Sequence, residues 1–598
     1  MYLRVGRRWG KRLSRAVRYR ERNLQRFARS QELVRIAVAV VAGALVGVAT
    51  AGMSAVVNYL HALSFDLPDG AHLSAYLSIN PVRLALIPAL GGLAFGALLW
   101  HLKKRNLTDI VDPVEANALY GGRLSLRDST RLTGLTLASN ACGASVGMEA
   151  AYSQFGAGIF STLGSAMKLR REDQRSMLTA GAAAAIAAAF NAPLAGAFYG
   201  FELVHSSYSY RTFTPVLAAC LSSVFVVKYL GYEAPVFVLN GAVETVASYS
   251  LFAILGIVAA LVGITAMRSA TTIEGWLTGA GVPGWSRPAI GGIALSVLAF
   301  GCPQILGAGH GAMQLHLDKI PATAPLIVIL VCKIIAAALS LGAGFKGGLF
   351  SSSLFIGVLL GAVFSQVLVL AVPSMADQKT VLMLAGMAAT GAAIVGTPLT
   401  MVFLVLETSD NLDIAFATVL SVLVASTFVR LTFGYSFSTW RFHLRGLPLH
   451  GAQDIGWVSA LTAGRLMRSD FTSVPLEMSL GALRQRIPLG SRKWIFGVTK
   501  DGRYGGIIDV AAVHDPEHTE IEQVVIAADM TTTENCYVLP YESISTILKK
   551  FEACESEILA VVQSQDCHKI IGSVSEAFCL KRYSQELEQR RSYDLGMK

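Results

Sequence analysis

"TAGAAAAIAAAFNAPLAGAFYGFE" (179–202) and "LAGMAATGAAIVGTPLTMVFLVLE" (384–407) decide the fold, because they match at a single spacing. Gly181 and Gly386, Pro193 and Pro398, and Glu202 and Glu407 are each 205 positions apart. An internal repeat of this kind in apolar sequence predicts two halves related by a pseudo-twofold axis, with a substrate site between them near the bilayer midplane. The alanines alone say less, since small residues let helices approach in any membrane protein. The prolines say more: each is expected in the first turn of a helix, where the missing N–H costs little, so two half-helices would begin inside the protein.

Outside the repeat the chain keeps the same character. Of 598 residues 53% are hydrophobic and 15% charged, too little polar surface to cover a soluble core of this size. Apolar stretches lie near 34–61, 81–100, 176–204, 213–231, 249–267, 286–301, 324–344, 348–373, 380–407 and 413–433. Several approach the roughly 20 residues that span a bilayer. Others are short and broken by Gly or Pro, which is tolerated at membrane depth only inside protein or beside a wet cavity, so a transport path is expected rather than an anchor.

Residues 1–33 form a basic arm in which Arg4, Arg7, Arg8, Lys11, Arg12, Arg15, Arg18, Arg20, Arg22, Arg26 and Arg29 face only Glu21 and Glu32. With no apolar run before Leu33 it does not read as a signal peptide, and its charge predicts a cytoplasmic N-terminus on anionic lipid. A membrane domain directly downstream argues against a nucleic-acid partner. The eight cysteines have neither CxxC nor zinc spacing, so no disulfide framework is expected. His310, in "GAGHGAM", is read as a structural loop residue rather than a metal ligand.

Hydrophobicity falls after "RFHLRGLPLH" (441–450), dividing a membrane domain (34–450) from a soluble, cytoplasmic tail (451–598). In the tail, "LMRSDFTSVPLEMSLGALRQRI" (466–487) is echoed by "DMTTTENCYVLPYESISTILKKF" (529–551), which suggests two copies of a βαββα unit. The fold class expected is therefore an all-α polytopic membrane domain with an internal inverted repeat of tilted and re-entrant helices, followed by an α/β tail.

Two further Gly-rich helix starts precede the repeats, "GMEAA" (147–151) and "GLFSS" (348–352). Helix N-termini carry unpaired N–H groups and partial positive charge, so two aimed at one point form an anion site without a buried lysine. Such a site can bind an anion and still release it. Glu149 is the one charged residue between Arg131 and Lys168. When ionised its carboxylate can occupy the place of a permeant anion, and when protonated it should swing away, making it a candidate gate and proton carrier. The plainer reading makes it a local cap.

"GMEAA", "AAAFNAPLAGAFYGFEL", "GGLFSSSLFIG" and "GTPLTMVFLVLETSDN" resemble, in order, the motifs of the CLC family of chloride channels and chloride/proton exchangers, and the tail resembles a tandem CBS pair. The resemblance implies a multi-pass homodimer in the lipid bilayer with cytoplasmic termini and one path per subunit for chloride or other small anions. It makes Glu149 the gating glutamate, puts Gly147, Met148, Ile110 and Ser438 at anion-binding positions, and has the amides of Leu349 and Phe350 meet the central anion. This chain departs from the family pattern at several of these positions. The usual "GREGP" is "GMEAA" here, and the usual "GSGIP" falls on "DIVDP" (109–113), so Ile110 stands where a serine contacts the ion. Ser438, in the last helix, replaces a coordinating tyrosine, and Leu203 stands where proton-coupled members place an internal glutamate.

A leucine cannot relay a proton, so passive anion conduction is the favoured expectation and chloride/proton exchange the alternative. A membrane-anchored CBS sensor is the reading from another class. Divalent-cation transport is disfavoured, because hard cations want several oxygen ligands. No enzymatic activity and no cofactor are expected. CBS pairs commonly bind an adenine nucleotide, but "IIDVAAV" (507–513) and "IGSVSEAF" (571–578) match that pattern poorly, leaving a dimerisation module as the alternative role.

Overall fold

The computed structural model describes residues 32–68, 70–105, 110–231, 249–373, 378–444, 461–516, 524–532, 536–565 and 567–594. Nearly all of the basic arm lies outside them. The chain divides into two compact units, Met1–Gln453 and Asp454–Lys598.

The first unit is helical. Its helices are α1 (Glu32–Phe65), α2 (Pro81–Lys104), α3 (Pro113–Leu119), α4 (Leu126–Ala141), α5 (Glu149–Ala166), α6 (Arg171–Phe190), α7 (Pro193–Tyr199), α8 (Tyr210–Tyr229), α9 (Tyr249–Gly279) and α10 (Arg287–Gly301). They continue with α11 (His310–Asp318), α12 (Thr323–Gly342), α13 (Phe350–Ala371), α14 (Lys379–Val395), α15 (Pro398–Ser409), α16 (Leu412–Thr432) and α17 (Phe437–Leu444). Seven helices of the described residues are long and apolar enough to cross a membrane. At 34 residues, α1 measures about 51 Å against a hydrocarbon core of roughly 30 Å, so it is more than long enough to span and either tilts or projects beyond the core. Outer helices expose Val41, Leu63, Val297 and Leu431 as lipid-facing surface. By contrast α6 is buried on every side from Asp173 to Phe190, as expected of a helix with no polar face.

The 205-residue spacing has a structural counterpart at every matched position. Gly181 on α6 lies against Gly156 on α5, and Gly386 on α14 against Gly357 on α13; a Cβ at any of the four would collide with the opposite backbone carbonyl. Helices α6 and α14 then end on left-handed caps 205 residues apart, Asn191 (φ 54°) and Gly396 (φ 80°). Pro193 and Pro398 open α7 and α15 just beyond these caps.

The matched glutamates cap each other's half-helix. Glu202 accepts from the N–H groups of Leu399 and Thr400 at 2.9 Å each and from the Thr400 hydroxyl at 2.8 Å. Glu407 accepts from the N–H groups of Leu194 and Ala195, both at 2.8 Å. A proline start leaves the next amides unpaired, and each repeat satisfies the other's.

The second unit contains α18 (Ala463–Leu466), β1 (Ser473–Pro475), α19 (Leu480–Arg486), β2 (Trp494–Val498), β3 (Tyr504–Asp509), α20 (Val510–Val513) and β4 (Thr531–Thr532), then β5 (Tyr537–Val538), α21 (Ile544–Cys554), β6 (Ile558–Val562), β7 (Ile570–Ser575) and α22 (Glu576–Asp594). β1 pairs parallel with β2 and β5 parallel with β6, while β2–β3 and β6–β7 are antiparallel. This is the βαββα unit twice, in sheets ordered β1-β2-β3-β4 and β5-β6-β7. The cysteine expectation needs correction. Cys536 and Cys554 are disulfide-bonded although 18 residues apart, because α21 returns its C-terminus to the start of β5. Local spacing carries no sign of that return.

Candidate functional site

Helices α5 and α13 begin side by side. The Gly147 N–H donates to the Gly348 carbonyl at 2.8 Å and the Gly348 N–H to the Gly147 carbonyl at 3.2 Å, so a reciprocal backbone pair ties the two helix starts together. Met148 and Leu349 follow as buried cap residues without side-chain capping bonds, and Glu149 and Phe350 are the first helical residues. Two N-terminal turns therefore converge with their amides uncapped by the preceding side chains.

Glu149 sits at that convergence, 3% exposed. Its Oε1 accepts a hydrogen bond from the Ser351 hydroxyl. Oε2 is buried without a hydrogen-bond partner among the described residues. The carboxylate folds over Gly147, where a Cβ would collide with it.

Two cavities meet at this side chain. The wider, about 1050 Å³, is lined by Ile110, Leu203, Gly348, Leu349, Phe350 and Ser438 among others. Lys103, Arg131, Lys346 and Arg441 outnumber Asp112, Glu149 and Glu274 on its walls, a balance that favours anions further once Glu149 is protonated. The narrower, about 90 Å³, is lined by Met148, Phe190 and three histidines, His61, His72 and His310. Among the described residues, Glu149 alone lines both.

The sequence-derived residues are thus brought together, with Gly147 reaching the site through its bonds to Gly348. Ile110 and Leu203 present apolar surface to the wide cavity, and Ser438 reaches it from α17. Glu202 lines neither cavity; its carboxylate is committed to α15.

Four residues were missed. Tyr199 lines the wide cavity together with Ser153, its ring edge-on to Phe350 at 6.0 Å, so a phenol is present although Ile110 and Ser438 do not supply one. Asp112 caps α3 through a 2.8 Å bond from the Glu115 N–H, placing an acid at the "DIVDP" turn. His310 is the first residue of α11, not a loop residue, and its Nε2 lies 3.9 Å from Glu149 Oε1. A buried lysine is also present, outside both cavities. Lys333 is fully buried and donates to Ser145 Oγ (2.8 Å) and to the carbonyls of Ile305 (3.1 Å) and Gly307 (3.0 Å). Asp112 had a local signal, an acid before a proline at a helix start; the others come together only through long-range packing.

Two like halves in a multi-pass membrane unit, with a buried carboxylate at meeting helix starts between two cavities, define a membrane transport protein. The family model described as voltage gated chloride channel matches residues 91–430, more than half of the chain. The chain belongs to this family, the CLC proteins, and is an integral membrane protein of anion transport rather than an enzyme. It is 27% identical over 405 residues to the voltage-gated ClC-type chloride channel ClcB of Citrobacter koseri, covering 66% of this chain and 96% of that one. Among solved structures it is similar to a slow cyanobacterial Cl−/H+ antiporter (TM-score 0.60, 24% identity, 69% of this chain and 98% of that one). A eukaryotic CLC transporter aligns with 91% of this chain and 97% of its own length (TM-score 0.56, 18% identity). At these identities the solved structures speak to the fold.

Proposed function

We propose that the protein is a gated chloride channel, a homodimer with one path per subunit and cytoplasmic termini, in which Glu149 is the protonatable gate. The observation that carries this reading is the position of Glu149, a buried carboxylate on the wall of both cavities at the start of two helices. Ionised, it takes the place an anion would occupy at the amides of Leu349 and Phe350; protonated, it loses that attraction and opens the path. Gly147 and Met148 hold it there, Ile110 and Ser438 shape the wide cavity, and the Tyr199 phenol supplies a donor to the ion.

Passive conduction is supported by Leu203, which faces the wide cavity with no group that binds a proton, while Glu202 is tied up in capping. Exchange is the activity of the cyanobacterial relative and is the rival reading. The tail, CBS-like in topology, serves as a dimerisation module, and its deletion leaves anion flux in place.

The test is Glu149→Gln in proteoliposomes. Chloride flux should rise and lose most of its pH dependence; unchanged flux and pH response remove Glu149 from the gate. A reversal potential that follows pH under a fixed chloride gradient would establish coupling and refute the channel.

A further inference from the structure

Opening at Glu149 needs a proton. The narrow cavity contains three imidazoles. His61 is engaged, its Nε2 lying 2.8 Å from the Asn140 carbonyl oxygen. His310 is placed differently. Its Nε2 is 3.0 Å from Ser351 Oγ, and the Ser351 hydroxyl donates to Glu149 Oε1. The other ring nitrogen, Nδ1, is buried without a hydrogen-bond partner among the described residues. Phe190, edge-on at 5.8 Å, limits rotation of the ring. At 3.9 Å His310 is too far from Glu149 for direct transfer, and Ser351 bridges the gap.

We propose that His310 and Ser351 form a proton relay that connects the narrow cavity to Glu149. This rests on the reading of Glu149 as the gate. A proton from solvent in the narrow cavity binds His310 Nδ1. The Nε2–H proton passes to Ser351 Oγ as the Ser351 hydroxyl proton passes to Glu149 Oε1. Glu149 becomes a neutral carboxylic acid, Ser351 keeps one proton, and His310 is left neutral with its proton on Nδ1; the reverse transfer restores the starting state. One proton enters and one carboxylate is neutralised, with no bond made or broken elsewhere.

The charged and titratable groups around the relay are consistent with this assignment. From α1 comes His61, from the following turn His72, and from α5 Glu149 and Tyr152, whose hydroxyl lies 2.5 Å from Ser54 Oγ. From α12 comes Lys333, whose ammonium already donates to three oxygens. The hydrogen bonding of this neighbourhood bridges His310 to the carboxylate through Ser351. The relay gives this carboxylate a proton route on the side where the cavity is narrow, about 90 Å³.

The experiment is a pH jump on full-length protein in planar bilayers, applied to each face in turn, with chloride current as readout. Wild type should respond from the face that opens into the narrow cavity. His310→Gln keeps an amide to hold Ser351 but cannot carry a proton, and Ser351→Ala removes the bridge. Both should slow the response about a hundredfold, the lower end of what loss of general acid–base catalysis costs. Imidazole in the bath should restore the rate in His310→Ala, which a purely positional role would not allow. If Glu149→Gln is pH-insensitive while Ser351→Ala and His310→Gln respond at the wild-type rate, the relay is wrong and the gate stands. If Glu149→Gln keeps the wild-type pH response, the gate reading fails and takes the relay with it. Should His310→Gln fold poorly, Ser351→Ala decides.

Discussion

The reciprocal caps permit a quantitative test of the two-half architecture. Glu407→Ala removes two charge-assisted bonds, both 2.8 Å, to α7, and Glu202→Ala removes three, at 2.8–2.9 Å, to α15. Bonds to charged acceptors are worth about 1.5–3 kcal/mol each when buried. Both carboxylates are only partly buried, so solvent can recover some of the loss, and about 2–3 kcal/mol is expected for Glu407→Ala and somewhat more for Glu202→Ala. The Gln variants should cost about half as much, since one carbonyl oxygen cannot serve both amides.

Both caps clamp the same pair of half-helices, so the double variant should depart from additivity by about 0.5 kcal/mol or more. Unfolding of the full chain in mixed detergent and SDS micelles measures all three. Single losses below about 0.5 kcal/mol that add without coupling would refute the reciprocal clamp. Chloride flux per folded molecule should persist in Glu202→Gln, because that side chain lines neither cavity.

Other expectations follow from single contacts. Gly147→Ala places a Cβ where the Glu149 carboxylate lies, so it should displace that carboxylate and, if Glu149 gates the path, raise chloride efflux at neutral pH toward that of Glu149→Gln; unchanged efflux would count against that close approach. Tyr199→Phe should weaken anion binding by calorimetry roughly fivefold, the equivalent of about 1 kcal/mol for one hydrogen bond, if the phenol contacts the ion. Reducing Cys536–Cys554 opens a link 18 residues apart in sequence, a chain-entropy effect of about 3 kcal/mol, and should raise the rate of limited proteolysis within 536–554. Burial pushes the Cys579 thiol up to about 11, so at pH 8 iodoacetamide should label exposed Cys567 well before Cys579 in peptide mass spectra.

What could be read in the sequence was whatever repeats or stands alone. Gly181, Gly386, Pro193 and Pro398 reported their roles through spacing, because a close crossing needs glycine and a helix start suits proline whatever else is nearby. Glu149 stood out because a carboxylate in apolar sequence has a high desolvation cost. Glu202 and Glu407 were visible as a pair, but not as caps, since each partner lies more than 190 residues away. His310, Tyr199 and Lys333 gave no signal because their environment is made by helices remote in sequence: α13 faces His310 and Tyr199, and Ser145 faces Lys333. The disulfide was hidden for a related reason, as α21 and β5 meet only once the unit has folded.

The crossed caps also bear on how the chain is made. The amide of Leu194 finds its carboxylate 213 residues downstream, so at ribosomal rates of about 5–20 residues per second it stays unmet for roughly 10–40 s. During synthesis the first half is therefore a membrane intermediate with an open helix end, dependent on lipid headgroups, water or the insertion machinery until Glu407 arrives. Biogenesis, rather than the finished fold, is where a slow codon or a truncation between the halves would be felt first.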